Sequence, residues 1–298
     1  MNNNSFKGIF TAIVTPFDSK GKIDLNSFTK LLTLQKNADG IIIAGTTGES
    51  SCLESNELSL LIKTAKSVLP KMPIIAATGS NCTNKALALQ EVAQTAGADA
   101  HLSIVPYYNK PTQKGLFSHF SALAKASFLP IILYNNPSRV IINLELATIQ
   151  TLVNEHKNIV AIKEANTDLV RLKNLISSIN VLGGDDEAFW PFLQAGACGM
   201  ISTISNIALF EMQTVMKAFA NNDSDYAKKI ALKLEDLSKL IFTHNNPIVI
   251  KTVLANLNLI KPNWRLPLCA LETQEQNNLL NKFKDFEWLS LVKEVSKK

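Results

Sequence analysis

The chain is predicted to fold as a (β/α)8 barrel, an α/β fold, with a helical C-terminal extension. Three features of its 298 residues point there. Short apolar runs recur, helical stretches separate them, and the unusual polar residues fall where the runs end. The runs cover residues 8–14, 40–44, 74–77, 100–105, 131–134, 159–163, 181–183 and 200–203. Their spacing of roughly 20 to 30 residues suits one strand, one helix and two loops. Near-continuous Ile, Val and Ala is the pattern of parallel strands buried on both faces. A doubly wound open sheet is the competing arrangement. It usually carries a glycine-rich phosphate loop after its first strand, and here that turn reads Thr15-Pro16-Phe17-Asp18.

The stretches between runs carry helix signals. Asp24 is placed to cap a helix whose apolar stripe is Leu25, Phe28, Leu31 and Leu32, and Leu116, Phe117, Phe120, Leu123 and Ala124 form another stripe. From about Leu209 the pattern is helical only, with Tyr226, Ile230, Leu234, Leu237 and Ile241 at three- and four-residue steps. The barrel is assigned residues 1–220 and a helical domain residues 221–298. No Gly/Ser- or Pro-rich linker divides them, so the extension is expected to pack on the barrel.

With 46% hydrophobic and 18% charged residues, the chain has the composition of a compact soluble globule. No apolar run approaches the ~20 residues of a membrane helix, and Met1-Asn2-Asn3-Asn4-Ser5 lacks a leader pattern, so a cytoplasmic location is expected. The net charge of +5 is spread along the chain without a basic, aromatic-interleaved run, which argues against nucleic acid as a partner. Cys52, Cys82, Cys198 and Cys269 lack metal or disulfide spacing and are expected to be reduced, buried thiols. His101, His119, His156 and His244 likewise lack ligand spacing and are expected to be satisfied or solvated. Neither a metal nor a cofactor is implied.

Active sites of such barrels lie at the C-terminal ends of the strands. There this sequence places Gly45-Thr46-Thr47-Gly48-Glu49-Ser50, Pro106-Tyr107-Tyr108-Asn109, Tyr134-Asn135-Asn136-Pro137-Ser138-Arg139 and Lys163-Glu164-Ala165. Strand alternation puts Ile159, Ala161 and Lys163 on one face, with Val160 and Ile162 on the other. Burial disfavours an ammonium and leaves an amine able to attack a carbonyl, whereas a lysine at a strand end can also simply snorkel to water. Tyr134 ends the neighbouring run, where its phenol can move protons for such an amine or serve as a structural hydroxyl. The Gly45-Thr46-Thr47-Gly48 turn offers hydroxyl and backbone donors suited to a small carboxylate, as other polar loops do. Arg139 is either a bidentate carboxylate clamp or a surface arginine.

At these residues the sequence resembles the dihydrodipicolinate synthase and N-acetylneuraminate lyase family. The likeness also runs through Ala12-Ile13-Val14-Thr15-Pro16-Phe17, Gly184-Asp185-Asp186 and Asn246-Pro247, in the family's order and spacing; Asn136 and Val140 depart from its pattern. The resemblance implies condensation of pyruvate with L-aspartate 4-semialdehyde, giving 4-hydroxy-tetrahydrodipicolinate on the route to diaminopimelate and lysine. It implies Lys163 as the Schiff-base lysine, Tyr134 as the proton relay, and Thr46 as its link to Tyr108 of a neighbouring subunit. Thr47 would hold the pyruvate carboxylate and Arg139 that of the semialdehyde, while Gly184 and Ile201 would line the pocket. It further implies a homotetramer built from tight dimers. Within the family, sialic-acid lyases and 2-keto-3-deoxy sugar acid aldolases are the alternative, disfavoured by Pro137-Ser138-Arg139. A keto-acid-binding barrel without turnover is the non-enzymatic one.

In lysine-inhibited members of this family, free L-lysine occupies a cavity whose positions match Ser50, Ser51, Leu58, Asn81, Lys85 and Tyr107. Such members carry glutamate where this chain has Lys85 and histidine where it has Leu58. An attraction for the effector's ammonium thus becomes a repulsion, which at ~4 Å costs about 1 kcal/mol in water and about 4 at an effective dielectric of 20. L-Lysine at about a millimolar is therefore expected to leave most activity intact, and a Lys85→Glu, Leu58→His double variant to gain sensitivity. Steady-state rates measured against L-lysine check both. Strong cooperative inhibition well below that concentration would mean that other contacts bind the effector.

Overall fold

The computed structural model describes residues 6–295; residues 1–5, read above for a leader pattern, and residues 296–298 of the assigned helical domain lie outside them. Each apolar run is a strand: β1 (Gly8–Ala12), β2 (Gly40–Ile43), β3 (Ile74–Ala77), β4 (Ala100–Ile104), β5 (Ile131–Asn135), β6 (Ile159–Glu164), β7 (Asn180–Gly183) and β8 (Gly199–Ser202). Neighbours in sequence pair in parallel, and β8 closes on β1 to complete the barrel. Between strands lie α1 (Leu25–Leu34), α2 (Ser55–Val68), α3 (Thr83–Ala96), α4 (Gln113–Ala126), α5 (Pro137–Val140), α6 (Leu146–Glu155), α7 (Leu169–Ile176) and α8 (Phe189–Ala195). Helix α9 (Ser205–Ala220) follows β8 at once, four residues before the sequence pattern turns wholly helical. Then come α10 (Ser224–Ile241), α11 (Ile248–Asn256), α12 (Thr273–Phe283) and α13 (Ser290–Val295). Among the described residues no helix is long and apolar enough to cross a membrane.

The strands bury both faces. Phe10, Ala12, Ile42, Ile75, Leu102, Ile132, Ala161, Leu182 and Ile201 fill the barrel interior, while Ile41, Ile43, Ile74, Leu133, Ile162 and Met200 face the helices. Asp24 caps α1 by accepting from the Ser27 amide at 3.1 Å, and Phe28, Leu31 and Leu32 turn inward as its stripe requires. The α10 stripe is rotated from its expectation: Tyr226 is half exposed, and Ala227 and Ala231 lie inward with Leu234, Leu237 and Ile241. Small side chains at those two positions let the helix approach its neighbour.

Strict alternation fails at one point in β6. The ladder pairs Ile131 with Ile159 but Ile132 with Ala161, so Val160 is an extra residue in the register. Ile159 consequently faces the helices beside Ile162, and Val160 packs against the barrel interior with Ala161. Beyond that shift the alternation holds, and Lys163 pairs in register with Tyr134. The first run ends earlier than its apolar residues do: past Ala12, the Val14 amide donates to Asn206 Oδ1 at 3.3 Å and leaves the ladder.

The segment after α10 is joined to the barrel mouth by charge. Lys251, fully buried on α11, forms an ion pair with Glu49 and sits 4.5 Å from the centroid of the Phe17 ring. Burial holds Lys251 below the usual lysine range, although Glu49 pulls the other way. The Arg265 amide donates to Glu49 Oε2 at 3.0 Å, and its guanidinium grips Glu57 at 2.6 and 2.7 Å. Glu49 itself has a left-handed backbone, with φ of 57°.

Two further sequence expectations need correction. Cys82 and Cys269 are exposed, and Cys52 and Cys198 are only partly buried. His156 and His244 have partners in Ser121 and Glu275, and His119 Nδ1 has one in Thr83. His101, on the outer face of β4, is neither satisfied nor solvated: it is fully buried, and neither ring nitrogen has a partner among the described residues. Burial pushes its pKa from 6.5 to about 4. Between those values the unfolded chain binds a proton that the native state excludes, so stability is lost as pH falls from 6.5 towards 4. At ~1.4 kcal/mol per unit this one residue costs about 3 kcal/mol across the window. His101→Leu is expected to flatten that part of the profile, as read by chemical denaturation at neutral and acid pH. Parallel profiles for the variant and the wild type would refute the assignment.

Candidate active site

The mouth of the barrel encloses a cavity of about 910 Å³. Thr46, Thr47, Tyr107, Tyr134, Arg139, Lys163 and Gly184 all line it. Lys163 rises from β6 into its base, 9% exposed, with Nζ 4.5 Å from the centroid of the Tyr134 ring. Behind the lysine, Glu164 fixes the strand end. Its carboxylate takes Arg171 Nε at 3.0 Å, Asn135 Nδ2 at 2.8 Å and the Asn166 amide at 2.8 Å. Burial pushes Glu164 up, against the pull of Arg171.

Tyr134 is buried to 6% exposure, and burial alone would raise its pKa. Lys163, Asn136, Arg139 and Thr46 together outweigh that, the charge of Lys163 contributing most among them, and the phenol ends below its usual value. Asn136 Nδ2 donates to the phenol oxygen at 3.0 Å, and Asn136 Oδ1 in turn accepts from Ser138 Oγ at 2.7 Å. A phenol so held is closer to the pKa that proton transfer at neutral pH favours. Arg139 lies on the short helix α5 and is exposed at the rim.

Gly184 makes room for the lysine. A Cβ there would fall 2.8 Å from Lys163 Cε and 3.0 Å from its Cγ. Asp186 caps the end of β8: its Oδ2 accepts from the amides of Thr203 at 2.8 Å and Ile204 at 3.1 Å. Burial pushes Asp186 up, and the nearby Lys163 offsets part of this.

Two of the expected residues are not in this chain's cavity. Tyr108 is 85% exposed on a left-handed backbone, with φ of 76°, and does not line it. Ile201 lies below it in the packed interior. Of the expected effector positions, Ser50, Ser51, Leu58, Lys85 and Tyr107 line the same cavity as Lys163, whereas Asn81 lies outside that lining and accepts Asn109 Nδ2 on its carbonyl at 2.8 Å. Sequence reasoning passed over Asn136 as a partner of the phenol, Asp186 as a cap, and Thr203 and Asn246 as cavity residues. The available signal was their position, directly after a strand or in the quoted motifs.

Fold and mouth together define a lyase of the class I aldolase type. Comparison with known proteins narrows this: residues 5–285 match the dihydrodipicolinate synthetase family, and the chain belongs to it. It is 42% identical over 281 residues to the 4-hydroxy-tetrahydrodipicolinate synthase of Thermodesulfovibrio yellowstonii, covering 92% of this chain and 96% of that one. The structure of dihydrodipicolinate synthase from Aquifex aeolicus superposes with a TM-score of 0.92 at 35% identity, covering 96% of this chain and 99% of that one. That of the chloride-inhibited enzyme from Acinetobacter baumannii, complexed with pyruvate, gives 0.89 at 40% identity, covering 94% and 98%.

The clearance at Gly184 yields a test. Gly184→Ala is expected to push the Lys163 side chain off its line and slow covalent capture of a keto acid by roughly 100-fold, with near-UV circular dichroism unchanged. Capture at the wild-type rate would mean that the side chain reaches its target by another path.

Proposed function

We infer that this chain condenses pyruvate with L-aspartate 4-semialdehyde, the reaction of a 4-hydroxy-tetrahydrodipicolinate synthase in the diaminopimelate and lysine pathway. The observation that carries the reading is the Lys163 amine against the Tyr134 ring at the base of the cavity. In the proposed course, Lys163 Nζ attacks C2 of pyruvate and water leaves, so that C2 becomes an electron sink. Loss of a methyl proton then gives an enamine, which adds to the aldehyde carbon of the second substrate. That substrate's own amine attacks C2, closes the ring and releases Lys163. Tyr134, its pKa already lowered, carries the protons of water loss and enamine formation. The proposal gives the pyruvate carboxylate to Thr47 and the semialdehyde carboxylate to Arg139, whose exposure at the rim suits the substrate that enters second.

A homotetramer of tight dimers, a cytoplasmic location and a boundary near residue 220 belong to the same proposal. Exposure of Tyr108 supports its donation, through Thr46, to a neighbour's site. Lys251 and Glu49 support an extension that packs against the barrel.

Borohydride added with pyruvate is expected to inactivate the protein and leave a reduced adduct on Lys163, located by mass spectrometry. A folded Lys163→Ala variant that still captures pyruvate stoichiometrically would overturn the mechanism.

A further inference from the structure

Beside Thr47 the cavity wall holds a closed triangle of side chains brought from three distant segments. Asn246 Nδ2 donates to Thr47 Oγ1 at 2.9 Å and to Thr203 Oγ1 at 3.2 Å, and the two hydroxyl oxygens lie 3.0 Å apart. Thr47, Thr203 and Asn246 are 2, 7 and 9% exposed, and all three line the cavity that Lys163 enters. The Thr203 backbone is fixed independently, its amide held by Asp186.

The protons of this triangle can be counted. Both protons of the Asn246 amide are given to the hydroxyl oxygens. Turning the amide over would leave two hydroxyl protons for three contacts, so that one pair of oxygens would meet with no proton between them and repel. In the orientation observed, one hydroxyl proton bridges the threonines. The second cannot go to Nδ2, which has no lone pair to offer, and Asn246 Oδ1 has no partner. One O–H therefore remains for a ligand in the cavity. A hydroxyl whose oxygen already accepts two hydrogen bonds is polarised into a better donor.

We propose that Thr203 and Asn246 are positioning residues that fix the Thr47 hydroxyl as a donor to the carboxylate of the 2-oxo acid. They set affinity for that acid, not the rate of the chemistry that follows. The inference rests on the roles proposed above for Lys163 and Thr47. The end of the eighth run marks Thr203 by position alone; its hydroxyl acts through two partners remote in sequence.

Thr203→Val keeps the shape of the side chain and removes the hydroxyl. It is expected to raise KM for pyruvate about tenfold, the effect of one weakened hydrogen bond to a charged group. The kcat at saturating pyruvate should stay within about twofold, and KM for the aldehyde substrate should not change. Thr203→Ser should restore the pyruvate KM. An unchanged pyruvate KM in Thr203→Val, or equal losses for both substrates that serine does not rescue, would overturn the proposal. Borohydride capture separates this inference from the reading beneath it. Failure to capture pyruvate in the wild type would remove the imine itself; capture in both proteins with the same half-saturating pyruvate concentration would remove only the role of the triangle.

Discussion

Every strand of this barrel runs in the same direction, so all eight end at one mouth, where backbone groups lose their ladder partners. A buried amide or carbonyl left unpaired there costs about 1 to 3 kcal/mol, and side chains must take over. Asn206 takes the Val14 amide and the Ala12 carbonyl, Asp186 takes two amides after β8, and Asn135 Oδ1 takes the Leu144 amide. Two of these groups stand directly behind residues that line the lysine's cavity: Asp186 holds the Thr203 amide, and Asn135 precedes Asn136. Chemistry is concentrated at this end because the fold already demands polar residues there.

The same requirement controls the charges. Glu164 and Arg171 are nearly sealed from water, and breaking such a pair on one side leaves an uncompensated buried charge. Their arrangement behind Lys163 pins β6 without placing a carboxylate against the amine. The register shift at Val160 works to the same end. It lets a bulky Ile159 face the helices while Ala161 and Lys163 keep the inward positions that lead to the cavity.

How much of this could be read in the chain depends on the range of the interaction. Parallel strands buried on both faces leave an unbroken apolar run, so all eight were evident, and the pairing of Lys163 with Tyr134 follows once strands five and six are aligned. The extra residue in β6 was not evident, because Val160 is as apolar as its neighbours. Nor was His101: a histidine with no partner looks the same in sequence as one with two. Position marked the loops that carry Tyr108 and Thr47, and the resemblance to a known family supplied their individual roles. Thr203 and Asn246 depend on three-body geometry across the closed barrel, which neither periodicity nor motif spacing encodes.

The bond between Lys251 and Glu49 bears on the order in which the molecule is made. A ribosome that has released the first 220 residues has synthesised every strand and the lysine of β6. Glu49, one residue beyond the turn that carries Thr46 and Thr47, is then still without Lys251 and the Arg265 amide. A carboxylate that will be wholly buried must wait about thirty further residues for its countercharge, Lys251, and about forty-five for the Arg265 amide. The lysine is therefore synthesised before the last residues that line its cavity, Asn246 among them. Completion of the pocket is tied to completion of the chain, because Asn246, Lys251 and Arg265 all follow the last strand.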